Sequence, residues 1–196
     1  FSPRDVSPAS YEPGAGSHGR YIHERVIVNF AKMLTASFDM RKLFDHFMDS
    51  VMEIARVSKI SVMLRDKDGF HVKTNYGLDP YIADNLTLNN NSALVTSLAR
   101  TGRIMQKPAA YVDAASPEIR KEMEFLQCSV SFPMIYKGKL IGILNIDNKI
   151  TEMQFYREEL EIIYVLCNYL AAAVKDIDLI IKYGLRRSSQ IIFFQA

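Results

Sequence analysis

The chain has no tryptophan, two cysteines in 196 residues, and few glycines or prolines. So little glycine and proline excludes collagen-like and low-complexity chains. Cys128 and Cys167 stand 39 positions apart, too sparse for a disulfide scaffold. Neither belongs to a CxxC or Cys/His cluster, so no metal site is expected. Both lie in apolar surroundings and read as buried reduced thiols, which predicts a reducing, cytoplasmic compartment. A charge excess is missing too. Residues 21–182 hold 20 basic and 20 acidic side chains, and the net +2 is Arg186 and Arg187. A nucleic-acid groove needs a clustered basic surface, so no nucleic-acid partner is expected. The longest apolar run, Ile162 to Val174, is interrupted by Asn168 and ended by Lys175. It falls short of the about 20 residues that cross a bilayer, so no membrane insertion is expected. The sequence starts at Phe1 with no signal-peptide pattern, and a piece of a longer protein is expected.

What is present is one domain's worth of patterned chain. Residues 1–20 are rich in Pro, Gly and Ser and poor in large aliphatics, and they read as a flexible tail or linker. Ile22, Val26, Phe30, Met33 and Leu34 then recur at helical spacing. Ser37 and Asp39 offer caps for a second helix carrying Leu43, Phe44, Phe47, Met48, Val51, Met52 and Ala55. Ile60, Val62 and Leu64 alternate with Ser61, Met63 and Arg65, turn at Asp66–Gly69, and return through Phe70 to Tyr76 as a hairpin. Gly77-Leu78-Asp79-Pro80 breaks the pattern. A helix is expected over Ser92–Arg100, stopped by Gly102, then a short strand at Ile104–Gln106 and a loop over Lys107–Ser116. Ser116-Pro117 opens another helix. Gln127–Tyr136 and Lys139–Asp147 form a second hairpin. A long helix is expected over Glu152–Lys182, interrupted by Gly184, with residues 183–196 as a connector.

This order predicts an α+β fold: an antiparallel sheet of about five or six strands with helices packed on it. One face of the hairpin strands is aliphatic. The other carries Ser61, Met63, Ser129, Ser131 and Asn145, the candidate floor of a pocket, with Tyr111 and Asp113 at its lid. No catalytic constellation emerges. Glu158-Glu159 and Glu122/Glu124 read as solvated helix faces. The glycines stand singly, with no phosphate loop. His23 and His46 read as helix side chains.

Three blocks in order carry a family resemblance. They are LTASFDMRKLFDHFMDSVMEIARVSKISVMLRDKDGFHVKTNYGL, SVSFPMIYKGKLIGILNIDNK and FYREELEIIYVLCNYLAAAV. The middle block holds the pattern P-(L/M)-x-x-x-G-x-x-(I/L)-G-(I/V)-L from Pro133 to Leu144. The chain thereby resembles a GAF domain, the small-molecule sensing module of signalling proteins. The resemblance implies a sheet with a ligand cavity on one face and terminal helices on the other. It also implies a homodimer through those helices and a signal passing along the last helix to an output domain. Subfamily marks are incomplete. Asn148, Lys149, Phe155 and Glu159 fit the cyclic-nucleotide signature, but Leu160 replaces its final Glu. Cys128-Ser129 and Cys167-Asn168 do not fit a bilin attachment site. Two distant cysteines do not suit a methionine sulfoxide reductase relay. His71 is the one histidine near the sheet that could ligate haem. The expectation is a non-catalytic sensor with no cofactor; the alternatives are a structural dimerisation module with a collapsed pocket, and a cyclic-nucleotide-binding GAF domain.

Overall fold

The structure, a computed structural model, describes residues 25–30, 32, 39–107 and 116–193. The expected tail at 1–20, the cap at Ser37, and the lid residues Tyr111 and Asp113 lie outside them.

Residues 25–30 are helical (α1), and α2 follows at Met40–Ala55. The Asp39 carboxylate accepts from the Arg41 amide at 2.9 Å and starts α2, which ends where Arg56 turns left-handed. Leu43, Phe44, Phe47, Val51 and Ile54 point inward from α2. Strands β1 (Ile60–Arg65) and β2 (Gly69–Tyr76) form the first hairpin. Helix α3 (Pro80–Asn85) and strand β3 (Thr87–Asn89) follow. Both fall where the sequence pattern gave only a break. Asp79 caps α3 by accepting from the Tyr81 amide, and β3 pairs with β2 through only three residues. Neither is long enough to show a period.

Helix α4 (Ala93–Thr101) runs between its Ser92 cap and left-handed Gly102. Then come β4 (Met105–Gln106), α5 (Pro117–Phe125), β5 (Val130–Tyr136) and β6 (Lys139–Ile146). Lys137 and Gly138 both have positive φ, 47° and 74°, as a two-residue hairpin turn between right-twisted strands requires. The final helix, α6, spans Arg157–Phe193. It starts later than expected, because Glu152 takes a φ of 57° and residues 152–156 stay irregular. It also runs through Gly184 without a break. One glycine costs a helix about 1 kcal/mol, which weakens it without ending it.

The sheet order is β3-β2-β1-β6-β5-β4, antiparallel at every pairing. The expected α+β architecture of six strands is therefore present. Gly142 sits at its centre, opposite both Leu64 and Met134. A Cβ there would come within 2.7 Å of the Met63 carbonyl oxygen and 2.9 Å of Met134 Sδ, so the strands close up only on glycine. Two cores result. Ile60, Val62, Phe132, Leu144 and Ile146 face α1, α2 and α6. Met63, Phe70 and Ile143 face the other way, under Leu94, Leu98, Met123 and Leu126.

Candidate functional site

On the second face a polar row crosses the middle of the sheet. Ser61 of β1 pairs with Asn145 of β6, and Asn145 pairs with Ser131 of β5. Strand alternation puts all three side chains on one side. All three are buried. Ser131 Oγ donates to Asn145 Oδ1 at 2.7 Å, and Asn145 Nδ2 donates to Ser61 Oγ at 3.4 Å. Met63 lies on the same face, fully buried in the apolar cluster.

Cys128 joins this row, a role its sequence context did not reveal. Its Sγ lies 3.4 Å from Ser131 Oγ and 3.6 Å from the Met123 carbonyl oxygen. Burial pushes the Cys128 thiol up to about 12, partly offset by the Ser131 hydrogen bond. A thiol so placed is inert as a nucleophile. Burial alone raises Cys167, which faces the helix-side core.

Ser129 stands apart from the row. Its Oγ lies 2.8 Å from Asn148 Oδ1 and 3.1 Å from Asp147 Oδ1, at the end of the sheet. There it lines a cleft of about 470 Å³ with Lys107, Asp147, Asn148, Glu152 and Phe155. Thus four of the five expected floor residues come together, buried, on one face, and the fifth borders the cleft at the end of the sheet.

The acidic pairs are not both-solvated faces as expected. Glu122 reaches from α5 to the start of α4, where its carboxylate accepts from the Ala93 and Leu94 amides at 3.0 and 2.7 Å. A helix N-terminus favours that charge. Glu159 is buried. It binds Lys149 Nζ through both oxygens, at 2.7 and 2.6 Å, and accepts from the Tyr156 amide. The Lys149 ammonium also lies over the Tyr156 ring, 4.7 Å from its centre. Lys149, Phe155 and Glu159, which fit the cyclic-nucleotide signature, thus fasten the end of β6 to the start of α6. His71 Nε2 meets Asp68 Oδ1 at 3.2 Å beside the first turn. Among the described residues, no group of three His, Cys, Asp or Glu could hold a metal ion, and no helix is long and apolar enough to cross a membrane.

A family model for the GAF domain matches residues 39–174. The chain belongs to the GAF domain family. Curated proteins give no match. Solved GAF domains superimpose over most of the chain. One, from a GAF domain/HD domain protein of Geobacter sulfurreducens, is 18% identical with a TM-score of 0.61, covering 74% of this chain and 98% of its own. The GAF domain of an Acinetobacter phosphoenolpyruvate-protein phosphotransferase is 16% identical, TM-score 0.63, covering 85% and 98%. The GAF domain of a Bacillus halodurans two-component sensor histidine kinase is 16% identical, TM-score 0.56, covering 76% and 99%. Identities this low speak for the GAF fold alone. In this GAF domain, the resemblance drawn from the three sequence blocks holds.

Proposed function

We propose that this GAF domain is a non-catalytic regulatory module of a cytoplasmic signalling protein. It takes a small molecule over the Ser61–Asn145–Ser131 row and relays its binding through α6 to an output domain. It works as a homodimer through its terminal helices. The observation that carries this reading is the polar row itself. A sheet face that served only packing would bury aliphatic side chains, as the opposite face does, because burying hydroxyl and amide groups yields little net stability. A ligand with matching donors and acceptors can exchange with these groups. Met63 then supplies apolar wall, with Tyr111 and Asp113 as lid residues and Ser129 at the margin. A route to α6 is also present. Tyr164 Oη of α6 donates to the Gly102 carbonyl, the cap of α4, at 2.9 Å. Movement of α4 over the row therefore pulls directly on α6.

The test is a thermal-shift and calorimetric screen of nucleotides, amino acids and organic acids. A true ligand at a hundred times its Kd stabilises the domain by about 2.7 kcal/mol. Asn145→Leu abolishes that shift, whereas Tyr164→Phe keeps binding and loses the effect on the output domain. One observation favours a second reading, a structural dimerisation module. The row satisfies its own hydrogen bonds beneath Leu94, Leu98 and Met123. If nothing in the screen stabilises the domain, that reading replaces the first.

A further inference from the structure

Helix α6 carries two apolar rows. Leu160, Ile163, Cys167, Leu170, Val174 and Ile177 are buried against the sheet and α2. Ile162, Val165, Tyr169, Ala172, Leu179 and Tyr183 repeat at the same spacings of three and four, two residues out of step, with Asp176 filling the gap. Two residues turn a helix by about 200°, so from Val165 onward this second row points away from the domain, while Ile162 at its start still packs on the helix-side core. Val165, Tyr169, Leu179 and Tyr183 are 37, 40, 44 and 61% exposed. Apolar positions recurring every 3.5 residues make a seam that another helix with the same repeat covers along its length. A second copy of this chain supplies such a helix.

Charge then decides the direction. A parallel, in-register pair would set the two Asp176 carboxylates face to face within the seam. We propose that α6 pairs antiparallel with α6 of a second copy, crossing at Ala172. This rests on the dimeric reading above and adds its orientation. The small side chain of Ala172 lies at the crossing, where the helices approach closest, while Ala171 faces the domain's own core. Val165 comes level with Leu179 of the second copy, and Glu161 lies beside its Lys182. Arg157 Nε already holds one Glu161 oxygen at 2.7 Å, leaving the other free. The two Asp176 side chains are separated by eight residues, about 12 Å along the axis.

Sedimentation of charge-swap variants of the full chain tests the orientation. Lys182→Glu and Glu161→Lys each weaken the dimer about tenfold, since each change acts twice by symmetry, and the double swap restores it. Spin labels on Tyr183→Cys, carried on a Cys128→Ser, Cys167→Ala chain, give a second reading. They lie about 33 Å apart along the axis when antiparallel, and side by side when parallel. Additive weakening in the double swap, or a short label distance, overturns the antiparallel pairing and leaves the dimer standing. A wild-type chain that sediments as a monomer overturns both.

Discussion

The two faces of one sheet have been filled by opposite rules. Toward α2 and α6 the three central strands β1, β6 and β5 present Ile60, Val62, Phe132, Leu144 and Ile146, all apolar. Toward α4 and α5 the same strands present Met63 and Ile143, with Ser61, Asn145 and Ser131 as a hydrogen-bonded row among them. Each face also holds one buried thiol, Cys167 on the first and Cys128 on the second. The apolar face gains its stability from area and close packing, which tolerate little change of shape. The mixed face gains less per residue, because part of its buried area is hydroxyl and amide. All-apolar and part-polar packing are thus separated by one strand's thickness.

The largest expected effect breaks the apolar face. Phe47 is fully buried, with its ring centre 5.8 Å from that of Phe30. Phe47→Ala lowers stability by about 3–5 kcal/mol in urea unfolding, the cost of the lost burial and the cavity left behind. The polar row yields a middle effect with a distinguishing sign. Asn145→Ala strands the Ser131 and Ser61 hydroxyls and costs about 1–3 kcal/mol. The triple change Ser61→Ala, Asn145→Leu, Ser131→Ala removes all three strand side chains together, leaves Cys128 its Met123 carbonyl, and recovers most of that loss. A triple variant as unstable as Asn145→Ala would mean that the row is not one network. The thiols give the smallest effect. Both fold with pKa values above that of a free thiol, Cys128 at about 12. The folded state therefore holds these protons more firmly than the unfolded chain. Their contribution is complete below about pH 9 and drains away as pH rises above it, for Cys128 until its folded value of about 12 is reached. Against the wild type, Cys128→Ala has a shallower alkaline fall in stability between pH 9 and 10.5, and Cys167→Ala likewise.

The sequence period made the apolar face legible. Leu43, Phe47 and Val51 on α2 and Ile163, Leu170 and Val174 on α6 repeat as helices must, and the hairpin strands alternate. The same alternation placed Ser61, Met63, Ser131 and Asn145 together. It could not separate Ser129, because strand parity continues past the point where β5 begins and the Ser129 side chain turns toward Asp147 and Asn148. Long-range partners left no local mark. Glu122 caps a helix 28 positions upstream, and Cys128 meets Ser131 only through the turn after α5. The late start of α6 was hidden for a related reason. Residues 152–156 have ordinary helical composition, and the buried Lys149–Glu159 pair holds them outside the helix.

That ion pair also limits how α6 can move. Both side chains are nearly inaccessible, 7 and 11% exposed, so sliding the helix along its axis would strip a buried charge of its counterion. Bending beyond Ile177, the last buried residue of α6, leaves both the pair and the core intact. A rod anchored at its base converts a small angle there into travel at its tip. From Ile177 to Phe193 the lever is about 24 Å, so each degree of bend displaces the far end by about 0.4 Å. The far end of α6 is therefore aimed from the point where its packing stops, and length does the magnifying.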